Sequence, residues 1–515
     1  MRRVTQEFER RAETADSVAV VDDEGAHTAR WLLGHGRQLA DALASACGGS
    51  PTVLVQADNS WRTVAATLAV GRLGGVLALM SRHATRTEFR AACEDIRPDA
   101  VVGAAPVLEG WGLPESLDRS AGPVQVLRDW ELHCGQSRRG MDRWGGGAVI
   151  GLTSGSTGRA KGVVHSEDSL RYACRQTIDA TGLVPGDVVA GVVPLSSAAA
   201  CCFGLYLPLL LGSPVVYWHK WEPAATLARM VAQDVRWTMC VPTMALQLAA
   251  AVPEQGVLRR MRAITVGGGP MERESLGRAE RALGTRILRV FGMSECLGHT
   301  SPRLDDDVAI RLGRDGRPFP GTDVRTVGQD GEPVPAGQPG RAQVKGPSLL
   351  LGYARNGTLE APTLTADGYF PTGDILVIHD DATVSVRGRE KDVIIRGGRN
   401  IDVAEVETAV LSHPRVGQAC VVPVPDELLG ERVAALVVSV GASIDLAELT
   451  RHLGEVGLSK TKWPEFVFEV GEIPQNLVGK VARPQARELA EALHAAVDVV
   501  PVTSAGRLRT GRTPA

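Results

Sequence analysis

The sequence predicts an α/β protein with a large N-terminal part and a smaller C-terminal domain, and three observations carry that reading. Short apolar runs alternate with amphipathic runs over residues 1–150, as strands and helices do in layered sheets. Residues 311–350 are rich in Gly and Pro between short alternating runs, which reads as a small β-rich subdomain with tight turns. After Arg387-Gly-Arg-Glu-Lys-Asp392 the texture changes once more, placing a domain boundary near residue 388.

In order, 18–23, 52–58 and 99–104 read as buried strands, and 37–46 and 61–73 as helices. No charged side chain occurs from Val188 to Trp218. Six Gly and Pro residues break that run, so it reads as two buried strands flanking an apolar helix rather than a membrane span. Residues 406–427 followed by 432–440 read as helix, strand, strand. The expected domains are 1–388, 389–497, and a disordered tail over 498–515 with no motif and no periodicity. A length of 515 residues suits three or four folding units.

Net charge is −3, with 44% apolar and 22% charged residues, so neither a nucleic-acid footprint nor an acidic tail is present. The nine cysteines form no CxxC pair, which argues against zinc knuckles and a secreted disulfide framework. The first residues carry arginines with no apolar run behind them, unlike a signal peptide. A cytoplasmic protein without a membrane span is expected. Of the 56 basic residues only seven are lysine (161, 220, 345, 391, 460, 462, 480) and 49 are arginine. A chain that uses arginine for generic positive charge marks its lysines as candidates for work that a planar guanidinium cannot do.

The strongest local motif is Thr153-Ser154-Gly155-Ser156-Thr157-Gly158-Arg159-Ala160-Lys161-Gly162, after the apolar run AVIGL. Such a loop offers backbone N–H groups and hydroxyls to a polyphosphate. It is not a Walker loop, which needs lysine directly after glycine and then Ser or Thr. Val266-Gly267-Gly268-Gly269-Pro270 follows AITV, and its glycines let backbone approach a flat ligand. Phe291-Gly292-Met293-Ser294-Glu295, Tyr369-Phe-Pro-Thr-Gly-Asp374, the run from Gly388 to Ile401 with Glu405-Val-Glu407 behind it, and Ile473-Pro-Gln-Asn-Leu-Val-Gly-Lys480-Val-Ala-Arg483 complete the set.

In this order the motifs resemble those of the adenylate-forming superfamily: acyl- and aryl-CoA synthetases, stand-alone adenylation domains and luciferases. The likeness is greatest to an acyl-CoA synthetase and spans residues 15–490. It implies a large N-terminal domain of two α/β sheet subdomains plus a β-rich one, and a small mobile α+β C-terminal domain. It places ATP or AMP at Thr153 to Gly158, Lys161, Gly267 to Pro270, Gly292 and Met293. Phe291 would pack on adenine and Ser294 would bond the α-phosphate. Glu295 would hold Mg²⁺, as a hard carboxylate suits. Asp374 would accept both ribose hydroxyls, and Arg389 would touch ribose or phosphate. Lys391 takes the hinge position and Lys480 the catalytic one. Gly397, Gly398 and Lys462 would serve coenzyme A, while Ser196, Ser197, Ala198 and Gly298 would line the acyl pocket. Lys345 also falls on a motif position.

The chain departs from the family at Ser196-Ser197, where many acyl-CoA synthetases carry an aromatic residue and histidine. No aspartate lies between Asp187 and Asp234, so an α-ammonium would lack a partner there and an amino-acid substrate is disfavoured. The implied reaction activates a carboxylic acid with ATP and passes the acyl group to coenzyme A. Transfer to a carrier protein or an amine is the alternative. A non-catalytic paralogue and a phosphotransferase are the further readings; intact Lys480, Glu295 and Asp374 speak against the first, and AMP rather than ADP as product would exclude the second. The oligomeric state stays open, a homodimer included. Deleting 498–515 is expected to leave melting temperature and activity nearly unchanged, and a large loss of either would show that the tail docks.

Overall fold

The computed structural model describes residues 1–114, 117, 122–135, 140–153, 161–269, 271–476 and 479–498. The expected tail beyond Asp498 therefore lies outside the described residues. The chain divides into two compact units. The large one comprises Met1–Lys391 together with Gln475–Lys480, and the small one Asp392–Pro474 and the chain from Val481 onward.

Two sheets dominate the large unit. One has seven strands in the order Arg286–Val290, Ala263–Gly267, Val235–Cys240, Val188–Gly191, Val215–Tyr217, Val18–Asp22 and Gly25–Thr28. All neighbours are parallel except the last pair, a hairpin. The other has nine strands in the order Thr358–Glu360, Gly352–Arg355, Lys161–Ser166, Gly147–Thr153, Val76–Ser81, Thr52–Ala57, Ala100–Ala104, Trp130–Cys134 and Val124–Val126. Its four central strands, Gly147–Thr153 through Ala100–Ala104, are parallel. Every residue of Thr52–Ala57 is buried, the mark of a strand covered on both faces. A third sheet is antiparallel and contains Asp323–Val327, Pro339–Lys345, Phe370–Ile378 and Val384–Arg389. The β-rich segment thus continues past residue 350 as far as Arg389.

The helix expected over 37–46 runs from Ala29 to Cys47, begun by Thr28, whose side chain accepts from the Trp31 amide. Its first half hid from a hydrophobic pattern because it holds Gly34 and Gly36, and Gly36 lies against the helix Trp61–Arg72: a Cβ there would meet the Ala65 carbonyl oxygen at 3.2 Å. The uncharged run resolves into strand Val188–Gly191, a helical stretch from Ala198 to Leu211 and strand Val215–Tyr217. No helix among the described residues is long and apolar enough to cross a membrane.

The small unit is built on a five-stranded sheet. Arg399–Asp402, Val393–Arg396, Gly430–Ser439 and Val416–Asp426 follow one another, and Phe466–Glu469 also pairs with Gly430–Ser439. Helices Val403–Leu411, Leu446–Glu455 and Arg483–Asp498 accompany it. Its polar anchor is Glu407, which is buried. Glu407 accepts from Arg483 Nη1 at 2.8 Å, from Nη2 at 2.7 Å and from the Val421 amide at 2.8 Å. Burial alone would lower the Arg483 pKa, but the Glu407 carboxylate outweighs it and pushes the pKa up. Glu407→Ala strands the Val421 amide and leaves the guanidinium only Asp392 at 3.3 Å and the Val421 carbonyl at 3.2 Å, so it is expected to cost about 2–4 kcal/mol. Urea denaturation measures it, and a loss no larger than that of a surface substitution would contradict the anchor.

Candidate active site

Thr153 and Lys161 stand opposite each other at the ends of two paired antiparallel strands, with Thr153 Oγ1 3.4 Å from the Lys161 carbonyl oxygen. The expected phosphate loop joins them. Ser154, Gly155, Ser156, Thr157 and Gly158 lie outside the described residues, as does Pro270. What is described is the frame that presents the loop: a buried strand leading in and a buried strand leading out.

The outgoing strand carries His165. Its Nε2–H donates to the Ser294 carbonyl oxygen at 2.7 Å, and Nδ1 lies 3.4 Å from Ser169 Oγ. Burial pushes the His165 pKa down to about 4, against the opposing pull of the Ser294 bond, so the ring is neutral at pH 7. Ser294 and Glu295 form the tip of a tight turn closed by reciprocal bonds between Met293 and Cys296, of 3.1 and 3.2 Å. The far side of the turn is held too: the Leu350 amide donates to the Glu295 carbonyl at 2.8 Å, and Cys296 bridges to Leu349. Tyr353 Oη then donates to Glu295 Oε1 at 3.3 Å. The Tyr353 pKa is raised by burial and by that carboxylate. Lys161 Nζ sits 5.5 Å from the centre of the Tyr353 ring. Lys161, Tyr353 and Glu295 are therefore brought together.

Among the described residues, Glu295 Oε2 has no hydrogen-bond partner. Mg²⁺ takes hard oxygens, keeps several waters and uses one or two carboxylates beside substrate phosphates. A single carboxylate with a free oxygen at the head of a rigid turn fits such an ion.

Asp374 and Arg389 face each other across neighbouring strands, with Arg389 Nε 3.0 Å from Asp374 Oδ1. Asp374 is buried, and its amide donates to Thr372 Oγ1. Gly267 closes strand Ala263–Gly267, and a Cβ on it would meet Val290 Cγ1 at 2.7 Å. Gly268 has φ +85°, and a Cβ there would come within 2.8 Å of Lys480 Nζ. Gly269 lies against the Pro242 ring. Lys480 ends the run Gln475–Lys480, which packs with the large unit. Its amide donates to Asn476 Oδ1 at 3.0 Å. Surrounding protein atoms desolvate its ammonium and Arg389 repels it, so its pKa is lowered, although the side chain keeps access to solvent.

Around the expected acyl wall, Asn59 is the organiser. Its Nδ2 donates to the carbonyls of Gly191 and Val193 at 2.9 and 3.1 Å, and its Oδ1 accepts from the Leu195 amide at 3.0 Å. These bonds end the strand at Gly191 and set the course of Ser196, Ser197 and Ala198. Ser196 and Ala198 are buried. Ser197 caps the helix that follows by accepting from the Ala200 amide. Ala198 packs on the strand that leads to Thr153: a Cβ on Gly151 would meet Ala198 Cβ at 2.8 Å. The next turns, Cys201–Tyr206, are wound as a π-helix, a form that favours functional sites. From there the Phe203 ring reaches Gly298, where a Cβ would lie 2.9 Å from Phe203 Cζ. Gly292 backs onto Gly298, leaving only 2.9 Å from a Cβ to the Gly298 nitrogen. Phe291 is buried against His299, ring edge to face at 4.4 Å. His299 donates from Nδ1 to the Cys296 carbonyl at 3.2 Å, leaving Nε2 a buried acceptor with no partner among the described residues.

In the small unit, Gly397 and Gly398 are the two-residue turn of the hairpin Val393–Arg396/Arg399–Asp402, with φ of +54° and +77°. Two positive-φ positions in a row demand glycine, so the pair has a structural reason of its own. Lys462 Nζ is paired with Glu405 at 2.6 Å. Lys391 is the last residue before the chain enters the small unit. Lys345 donates to the Asp367 carbonyl at 3.0 Å and lies over the Tyr369 ring.

Two family profiles match the chain: the AMP-binding enzyme family over residues 8–354 and the AMP-binding enzyme C-terminal domain over 405–480. The chain belongs to the AMP-binding enzyme family. A salicylyl-CoA synthase / salicylate adenylyltransferase of a Streptomyces species is 30% identical over 95% of this chain and 94% of its own length. A salicyl-AMP ligase / salicyl-S-ArCP synthetase of Mycobacterium tuberculosis is 29% identical over 86% of this chain and 82% of its own. The ATP-bound crystal structure of MatB from Rhodopseudomonas palustris superposes with a TM-score of 0.80 at 25% identity, covering 95% of this chain and 99% of that one.

Within this adenylate-forming enzyme, motif reading missed His165, Tyr353, Asn59 and Phe203. His165 left a trace, an imidazole in an apolar strand just after the loop, and Tyr353 stood at the end of the lysine-345 motif. Asn59 and Phe203 left none. The two buried neutral imidazoles also carry a pH signature. His165 and His299 are both pushed down to about 4 by burial, while an unfolded histidine titrates near 6.5. Below about pH 6.5 the unfolded chain binds protons that the folded chain refuses, so stability is fully present above that pH and falls as pH drops towards 4, by up to about 1.4 kcal/mol per pH unit per ring. His165→Gln keeps a donor for Ser294 but does not titrate. Urea unfolding between pH 7.5 and 5 is expected to show a shallower fall for the variant than for the parent, and equal slopes would contradict a neutral buried His165.

Proposed function

We propose that this enzyme uses ATP to convert a carboxylic acid into its acyl-adenylate and then passes the acyl group to the thiol of coenzyme A. An acid oxygen attacks the α-phosphorus, the bond to the β-phosphate oxygen breaks, and pyrophosphate leaves. The thiol sulfur then attacks the acyl carbon, AMP leaves, and the thiol proton is released. ATP and coenzyme A as substrates agree with work in the cytoplasm.

The observation that carries the reading is the ammonium end of Lys480 over Gly268, with the Glu295 carboxylate held separately on its turn. Lys480 supplies positive charge where the acid and α-phosphate oxygens gain negative charge, and partial desolvation strengthens that attraction. Mg²⁺ held at Glu295 would neutralise phosphate charge. Ser294 hydrogen-bonds the α-phosphate. Asp374, oriented by Arg389, accepts the ribose hydroxyls. Phe291 backs the adenine, and the Thr153–Lys161 hairpin carries the loop that holds the phosphates. Gly397, Gly398 and Lys462 serve the pantetheine arm, and rotation about Lys391 separates the two half-reactions.

The acid is bulky and aromatic and carries no α-ammonium. Buried Ser196 and Ala198 keep one wall small, and the tip of the Phe203 ring reaches Gly298. No aspartate lies between Asp187 and Asp234 to pair an ammonium. The salicylate named for two relatives agrees with this class. The second of those relatives is named for a carrier protein as acceptor, so carrier transfer is the rival second step. Pyrophosphate release over an acid panel, with and without coenzyme A and a phosphopantetheinyl carrier, decides both points. Aryl acids are expected to react, and strong turnover of acetate or of a standard amino acid would overturn the assignment.

Two lysines separate the steps. Lys480→Ala is expected to cut acyl-adenylate formation by roughly 10²–10³, while supplied acyl-AMP still yields thioester. Lys391→Pro fixes φ near −65°, so first-turnover pyrophosphate release is expected to survive and thioester formation to fail. If both folded variants lose both steps equally, the two-conformation mechanism is wrong.

A further inference from the structure

Two thiols outside the active site stand unusually close. Cys47 is the last residue of helix Ala29–Cys47 and Cys134 the last of strand Trp130–Cys134. Their sulfurs are 2.9 Å apart, and Cys47 Sγ also points at the Asp99 carbonyl at 3.6 Å. A disulfide bond is about 2.05 Å long, so about 0.9 Å of approach would close it. Cys134 is partly exposed, whereas Cys47 is buried. One thiol can therefore meet a dissolved oxidant while the other waits behind it. The hydrogen bond from Cys47 lowers the Cys134 pKa against the opposing effect of burial, which raises the share of reactive thiolate.

The other cysteines lack this combination. Cys174 and Cys202 are also neighbours, at 3.6 Å, but both are fully buried, and burial raises the Cys202 pKa. Cys93, Cys240, Cys296 and Cys420 are pushed up to about 12 by burial.

We propose that Cys47 and Cys134 form an oxidative modification site, converted by a hydroperoxide to an intramolecular disulfide that ties the end of the helix to the penultimate strand of the nine-stranded sheet. The Cys134 thiolate attacks one peroxide oxygen; the S–O bond forms, the O–O bond breaks and, with hydrogen peroxide, the first water leaves. Cys47 then attacks the Cys134 sulfur; the S–S bond forms, the S–O bond breaks and the second water leaves. Two thiols and one hydrogen peroxide give one disulfide and two waters, each sulfur losing one electron.

The test exposes the reduced full-length enzyme to stoichiometric hydrogen peroxide, followed by thiol counting and peptide mapping without reductant. The expected result is loss of two thiols, a linked peptide pair containing Cys47 and Cys134 with a mass lower by about 2 Da, reversal by dithiothreitol, and intact thiols at Cys174 and Cys202. Closure of so long a loop is also expected to raise the melting temperature, a rise that Cys134→Ser abolishes. The proposal is overturned if Cys134 accumulates as sulfinic acid with Cys47 still a thiol, if Cys174 and Cys202 link first, or if neither pair links. The parent enzyme's peptide map decides the matter even if Cys134→Ser does not fold.

Discussion

The site depends on one backbone clamp, the grip on the turn that carries Ser294 and Glu295. The neutral His165 ring donates to the Ser294 carbonyl from one side, and the Leu350 amide donates to the Glu295 carbonyl from the other. Each bond is modest by itself, but leaving either half-buried carbonyl without its donor would forfeit that bond. The turn therefore has one orientation. Through His165 it is tied to the strand leaving the phosphate loop, and through Leu350 to the segment that brings Tyr353 onto the Glu295 carboxylate. Motifs far apart in the chain become one surface because these bonds register them.

Charge is distributed with the same economy. Arginines serve the fixed pairs, Arg389 with Asp374 and Arg483 with Glu407, where a planar fork suits a carboxylate. Lysines stand where a compact, rotatable charge is wanted. Lys480 is the clearest case, since Arg389 and the crowding of protein atoms keep its ammonium poorly compensated. An uncompensated cation attracts developing negative charge more strongly than a paired one. Lys462 is the opposite case, resting in a pair with Glu405. A pantetheine arm would have to compete with that carboxylate.

What was legible in the sequence was local. Glu295, Asp374 and Lys480 each stand a fixed short distance from a glycine within a short motif, and it is the resemblance of those motifs to the family's that singles them out. Glycine motifs can also mislead by being doubly determined: Gly397 and Gly398 are demanded by a hairpin whatever else passes over them. His165, Tyr353 and Asn59 act on residues 129, 58 and 136 positions away, and a contact across sheets leaves no pattern along the chain. Phe203 was hidden for another reason. A π-wound segment shifts the register of a helix face, so its ring reaches Gly298 from a position that a regular helical count does not single out. The early half of helix Ala29–Cys47 was lost because Gly34 and Gly36 interrupt the apolar pattern, the second kept small by the Ala65 carbonyl.

The chemistry turns on one bond, from an acid oxygen to the α-phosphorus of ATP. The most direct test supplies an accepted acid carrying ¹⁸O in both carboxylate oxygens, with ATP and the acyl acceptor, and analyses the nucleotide product by mass. The expected result is AMP carrying one ¹⁸O in its phosphate, with unlabelled pyrophosphate. ADP with ¹⁸O in inorganic phosphate, or AMP free of label alongside acyl product, would contradict it.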